Sequence, residues 1–433
     1  MRSRLLRRRT VASLGTYVSV VLGLLGTVAA SRSFDKHSFG LYATALAAAA
    51  FFQTLLDLTV EESLTKYGFA YVTRERWGRL RRLFGQALRL KLIGGLLAAL
   101  GLLGLAPLSG ALFGHGLVGP LIAIAALPLL QAPENVATTA LLLRGRYDIR
   151  GLFQIVSMGL RLAGIAIGAQ YGVTEAMVGI VIAQLVATAA VGAAGTVAFR
   201  RFPVSPAEPL GEDRKDIVRF VLQSSAATGM LSLRGALAPL LLGVVAGPTQ
   251  LGFFRIAQAP QTGFSSVTAP FRLILLAEQT RDWERGRRSD VVRSTLRYSA
   301  GAAAVMAVAL PVFVWLMPDL IRWVFKPDKL GATDAARIIL FAAAIQLVFG
   351  WTKSFPVSIG KPKLRIYTHG VETAILLPLV VVFGLAWGAT GAAIATLVST
   401  FVFAVVWSGL FLRLREQVAS AQAAAFPREA LAP

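Results

Sequence analysis

Runs of about twenty apolar residues recur along the whole chain, separated by short stretches crowded with Lys and Arg. A run of that length lets an α-helix cross the ~30 Å hydrocarbon core of a bilayer. The pattern predicts twelve spans, at about 11–30, 39–60, 84–105, 117–143, 151–170, 176–199, 217–246, 253–277, 298–317, 335–356, 366–386 and 390–412. The purest is "AGAAAVMAVALPVFVWLM" (300–317). Pro128 and Pro133 are expected to interrupt the fourth span and Pro356 to end the tenth. The basic start and the apolar stretch that follows resemble a signal peptide. The apolar part is longer than a usual signal core, however, and a second span follows directly, so it reads as an uncleaved first helix.

Composition agrees. Hydrophobic residues make up 55% and charged residues 15% of the 433 residues, and the mean hydropathy is +0.65. A soluble domain carries about 25% charged residues. The net charge of +22 would suggest nucleic acid in a soluble protein. Here the basic residues lie between apolar runs, so lipid head groups and membrane orientation account for them and no nucleic-acid partner is expected. With the N-terminus in the cytoplasm, the cytoplasmic segments hold 33 of the 44 Lys and Arg and the opposite segments five. The positive-inside rule then places both termini in the cytoplasm. The densest charge run, residues 281–297, reads as an orienting, lipid-facing loop. There is no cysteine, and His37, His115 and His369 are too scattered for a metal cluster. Each is expected to be solvated or interfacial, and neither metal nor cofactor is expected.

The chain also repeats itself. Phe39-Gly40-Leu41-Tyr42 aligns with Leu251-Gly252-Phe253-Phe254 at a shift of 212 residues. A shift of 215 pairs Gly145 with Gly360, Arg150 with Arg365 and Gln131 with Gln346, and "YGVT" (171–174) matches "WGAT" (387–390) one residue further on. Each half holds six spans, and an even number returns the chain to its starting side, so the two repeats run parallel about an axis along the membrane normal. The expected architecture is an all-α polytopic membrane protein of two six-helix lobes, 1–200 and 217–412, around a central cavity. Residues 201–216, rich in Pro and charge, form the linker between them, and 413–433 form a cytoplasmic tail.

Among the arginines within spans or at their lips, Arg32, Arg161, Arg234 and Arg255 are singled out. Arg32 and Arg255 lie near outer ends, where their heads can snorkel to the interface. Arg161 and Arg234 sit mid-span, where a guanidinium costs at least ~2.5 kcal/mol. The acids available to neutralise them are Asp57, Glu134 and Glu372. Two readings stand for the central pair: ion pairs that fix helix packing, or cationic groups in a hydrated cavity that meet an anionic substrate. Glu134, next to the helix-loosening Pro133, fits pairing with an arginine, or binding of a cation or proton.

The pattern Ser31-Arg32-Ser33-Phe34-Asp35-Lys36-His37-Ser38-Phe39-Gly40-Leu41-Tyr42 resembles the motif that follows the first span in O-antigen and polysaccharide flippases of the multidrug/oligosaccharidyl-lipid/polysaccharide (MOP) exporter superfamily. Arg32, Gly40 and Tyr42 fit that motif; Asp35 and Lys36 depart from it. Gly247-Pro248, Leu251-Gly252, "GKPKLR" and "GATGAAIATLVS" are similar to further parts of it, so the resemblance runs the length of the chain. It implies a flippase of the bacterial inner membrane that moves a polyprenyl-pyrophosphate-linked oligosaccharide by alternating access, with other polysaccharide assembly proteins as further partners. The surplus of arginine over acid suits a pyrophosphate, which guanidinium grips with paired hydrogen bonds. Membrane potential, or proton or sodium antiport through an acid such as Glu134, are both open as drives. Alternatives within the superfamily are a cation-coupled multidrug exporter, whose site should be acidic, and a lipid II flippase. A membrane polymerase or ligase is the alternative of another class, but the longest outer loop, about 318–334, is short for a catalytic one. "IGKPK" lacks the remaining residues of a P-loop, and neither HExxH nor GxSxG occurs. A non-transporting membrane scaffold would carry the midplane arginines at a cost without a use.

Overall fold

The computed structural model describes residues 2–56, 60–359 and 363–425. Asp57, Gly360 and the end of the tail, 426–433, lie outside the described residues. Most of the described residues are helical, as the unbroken apolar runs require: in hydrocarbon, backbone N–H and C=O groups must be satisfied within the segment.

The first unit comprises 1–253 with 324–328. It contains α1 (Arg2–Ser33), α2 (Lys36–Leu56), α3 (Val60–Thr73), α4 (Trp77–Phe113), α5 (Val118–Ile124), α6 (Leu127–Leu143), α7 (Tyr147–Gly168), α8 (Val173–Arg200) and α9 (Asp213–Ala246). The fourth expected span is α5 and α6, broken at Ala125 and Ala126 with Pro128 in the first turn of α6. Pro133 is accommodated inside α6. α3 is a helix that the basic segment 61–82 conceals. Together with α4 it buries Tyr71, Leu80, Leu83 and Phe84 against Phe202, Leu210 and Ile217. Phe202 and Leu210 belong to the expected linker, which is therefore packed rather than loose. Asp213 accepts hydrogen bonds from Tyr71 (3.0 Å) and Arg79 (2.8 Å). Burial, together with the bond to the Asp213 carboxylate, pushes the Tyr71 phenol up to about 12.

Small residues set the helix spacing, as is usual where packing rather than hydrophobicity joins helices in lipid. Gly164 of α7 and Gly179 of α8 lie backbone to backbone, so that a β-carbon on either would strike the other's carbonyl. Gly40 and Gly252, the glycines matched between the repeats, also meet: a β-carbon on Gly252 would stand 3.1 Å from the Gly40 α-carbon.

The second unit, 254–323 with 329–433, holds the end of α10 (Pro248–Ala257), α11 (Ala259–Glu284), most of α12 (Arg288–Phe325), α13 (Thr333–Val348), α14 (Phe355–Ser358) and α15 (Lys363–Ala425). α13 ends at Val348, well before Pro356, which sits in the short α14. α15 covers the last two expected spans, turning between them at Gly388, whose positive φ (57°) suits a residue without a β-carbon. Trp351, Phe355, Phe403, Trp407 and Phe411 form an aromatic core.

Among the described residues, nine stretches are long and apolar enough to cross a membrane. The kinked α15 is one of them, and α9 adds a shorter apolar segment, Arg234–Ala246.

Two expectations follow. Gly164→Leu should destabilise the protein by about 1–3 kcal/mol through overpacking. Gly159→Leu, on the same helix with open space at its β-carbon, should leave the melting temperature of the detergent-solubilised protein unchanged. Because the chain has no native cysteine, single cysteines report sidedness cleanly. Cysteines at Tyr171 and Asp334 should label from one side of the membrane, and those at Glu75 and Arg285 only from the other. Labelling of all four from one side would overturn the alternation of spans.

Candidate functional site

The interior of the first unit carries a chain of amides across three helices. Gln53 of α2 donates to Gln131 of α6 (2.7 Å), and Gln131 donates to Gln184 of α8 (3.0 Å). Gln184 in turn donates to the Glu134 carboxylate (2.7 Å) and to Thr188 (2.9 Å). Glu134 also interacts electrostatically with Arg161 of α7. A cavity of about 260 Å³ adjoins this chain, lined by Gln53, Gln131, Asn135, Pro128 and Lys91. The Lys91 side chain, 2% exposed, is neutralised by Glu61 at 2.7 Å, as a buried ammonium requires.

The second unit repeats the arrangement. Gln261 donates to Gln346 (2.7 Å), and Gln346 to Thr400 (3.3 Å). A cavity of about 370 Å³ is lined by Ala343, Gln346, Leu347 and Gly350, which stand 215 residues after Pro128, Gln131, Ala132 and Asn135 of the first cavity. The repeat seen in sequence thus recurs as two polar cavities built at equivalent positions.

Of the expected site residues, Arg161 and Glu134 are both half-buried within spans, on α7 and α6. Arg234 is half-buried in α9. Arg32, in the last turn of α1, and Arg255, in the last turn of α10, are exposed. None of Arg32, Arg234 and Arg255 is a free charge. Glu372, considered above as a neutraliser of mid-span arginine, is 2% exposed. It is bonded to His369 one turn before it (3.0 Å). The expectation that His369 is solvated or interfacial is thereby corrected. It is buried, stacks on Phe403 with ring centroids 5.0 Å apart, and is held by a carboxylate. Asp57 lies outside the described residues.

Sequence reasoning passed over Lys91 and the glutamines as site candidates. The signal was available in part, since a shift of 215 already paired Gln131 with Gln346. An amide mid-span is costly unless bonded, so paired amides at matched positions mark a buried lattice.

The profile of the polysaccharide biosynthesis protein family matches residues 5–272. The chain belongs to that family. Its fold is that of the MOP superfamily. An inward-facing multidrug resistance MATE family transporter superposes with TM-score 0.71 at 14% identity, over 94% of this chain and 96% of that one. The lipid II flippase MurJ in an inward closed conformation gives 0.69 at 14% identity, over 94% and 90%. A MOP superfamily transporter from Pyrococcus furiosus, described as having a binding pocket of reverse polarity, gives 0.58 at 16% identity, over 96% of each. No curated protein sequence matches the chain.

The lattice generates its own expectation. Gln131→Leu should cost about 1–3 kcal/mol, because it strands the Gln53 donor and the Gln184 acceptor in a membrane interior. Gln346→Leu should cost less, since its acceptor Thr400 also has lipid-tolerant alternatives on its own helix. Thermal unfolding of the two variants in one detergent checks the order.

Proposed function

We propose that this protein is a flippase that carries a polyprenyl-pyrophosphate-linked oligosaccharide, an O-antigen or exopolysaccharide repeat unit, across the bacterial inner membrane by alternating access. Residues 1–200 and 217–412 act as its two lobes. Arg161 and Arg234, with Arg32 and Arg255 toward the membrane surface, engage the pyrophosphate, while the lipid tail stays in the bilayer.

The observation that carries this reading is the excess of arginine over carboxylate at membrane depth in a chain of the polysaccharide biosynthesis family. Guanidinium is costly there and binds phosphate with a bidentate fork. The Pyrococcus transporter, described as having a pocket of reverse polarity that suggests a different function, is a precedent for an altered pocket charge on this fold. A site for cationic drugs would need the opposite sign. An inside-negative potential favours outward movement of an anion by ~2.3 kcal/mol per charge per 100 mV, so no nucleotide is needed to drive the step.

The test is complementation in the native host, with surface polysaccharide as the readout. Arg234→Ala should insert at normal level yet lower export at least tenfold, and Arg234→Lys should restore it only in part, because lysine keeps the charge and loses the fork. Wild-type export by Arg234→Ala would contradict the reading. So would a loss of protein level that Glu372→Gln repairs together with export, for then Arg234 is half of a structural pair.

A further inference from the structure

At one end of the first unit's helices, four aromatic rings form a shelf and two guanidinium groups rest on it. Phe202, just past α8, stacks on Trp77 at the start of α4 with ring centroids 5.6 Å apart. Phe199, in the last turn of α8, packs against Phe84 at 4.7 Å and Phe202 at 6.1 Å. The Arg81 guanidinium of α4 lies over the Phe199 ring at 5.8 Å, and that of Arg144, which follows α6, over the Phe202 ring at 5.0 Å. Arg81 is half-buried and Arg144 exposed.

Among the described residues, neither guanidinium has a carboxylate partner. Three acids of this unit are already taken: Asp213 by Arg79, Asp148 by Arg146 and Glu61 by Lys91. The buried Nε of Arg81 has no hydrogen-bond acceptor. A cation at the C-terminal end of α6 suits the helix dipole, but Arg81 lies near the N-terminal end of α4, where a cation is disfavoured. The second repeat has Ile359 at the position matched to Arg144, so the pair is no requirement of the shared framework.

We infer that Arg81 and Arg144 form a binding site for the phosphate of a membrane lipid's head group. A guanidinium over an aromatic ring gives the ring its face and keeps its in-plane N–H groups for an anion. The rings thus hold the two charges in position without neutralising them, and a phosphate accepts paired hydrogen bonds from such groups. The setting favours a lipid over free phosphate. Three stretches long and apolar enough to span the membrane, Trp77–Phe113, Val118–Leu143 and Val173–Arg200, begin or end at the shelf. Span ends stand at the level of the lipid head groups, where basic pockets between helices take lipid phosphates. The site is independent of the roles given above to Arg161 and Arg234.

The experiment is calorimetric titration of the purified full-length protein in detergent. The probes are dioctanoyl phosphatidylglycerol, dioctanoylglycerol (the same chains without the phosphate), farnesyl pyrophosphate and inorganic phosphate. Wild type should bind phosphatidylglycerol about tenfold more tightly than dioctanoylglycerol, and inorganic phosphate at equal concentration should not displace it. Arg81→Gln with Arg144→Gln should weaken binding about tenfold, and Arg81→Lys with Arg144→Lys about threefold, because lysine keeps the charge and loses the fork. Arg293→Gln with Arg297→Gln removes the same charge from exposed positions of α12 and should change the affinity by less than about twofold. Tighter binding of farnesyl pyrophosphate than of phosphatidylglycerol, lost in the glutamine pair, would support the site and identify a diphosphate carrier as its lipid. Equal affinity in wild type and the glutamine pair, or an equal loss in the Arg293 and Arg297 variant, would overturn the site. Displacement by inorganic phosphate would overturn its assignment to a lipid. Thermal melts report folding. Should the glutamine pair fail to fold, equal binding of the two glycerolipids by wild type, or undiminished binding by the lysine pair, would overturn the inference.

Discussion

A bilayer core offers no hydrogen bonds, so every amide, carboxylate and ammonium placed at its depth must be met by another side chain or by water. That constraint organises the interior of this protein. Gln53, Gln131 and Gln184 satisfy one another across α2, α6 and α8, Lys91 is closed by Glu61, and His369 by Glu372. Because each bond joins different helices or successive turns, the polar groups fix helix register while the glycines fix helix distance. Gly164 against Gly179 and Gly40 against the backbone of Pro248 leave no room for a side chain.

The same constraint separates scaffold from function. Polar groups that recur in both repeats, such as Gln131 and Gln346 with their matched cavities, belong to the framework. Groups that break the repeat, such as Glu134, Arg161 and Lys91, are additions to it. On the proposed function, that asymmetry is what allows a pseudo-symmetric pair of helix bundles to handle a substrate with one charged end.

The spans were legible because hydrocarbon imposes both length and composition, and the fold class followed from them. α3 was not, since Glu61, Glu62 and Lys66 interrupt the apolar positions Leu64 and Tyr71 within a basic segment and mask their burial. The early end of α13 at Val348 was hidden because "FGW" (349–351) is as apolar as the helix before it. At the candidate site, the arginines stood out by their cost, but their partners did not. Bonding Glu134 to Gln184 needs the relative rotation of α6 and α8, and holding Glu372 to His369 needs only an i to i+3 spacing, which was present in the sequence and went unread. Asp35 and Lys36, which depart from the family motif, lie at the junction of α1 and α2. There Asp35 caps α2 by accepting from the backbone N–H groups of His37 and Ser38, so the departure is a local capping solution.

The most direct test of the central claim, that this protein moves an anionic lipid head group, is transport by the purified protein in liposomes. A polyprenyl-pyrophosphate-linked oligosaccharide is loaded in the inner leaflet, its arrival outside is followed with a membrane-impermeant lectin, and a potassium gradient with valinomycin sets the potential. The account predicts protein-dependent appearance of the sugar outside that accelerates when the interior is made negative and slows when the sign is reversed. Appearance no faster than in protein-free liposomes, or a rate indifferent to the potential together with equal transport of an uncharged lipid-linked sugar, would contradict it.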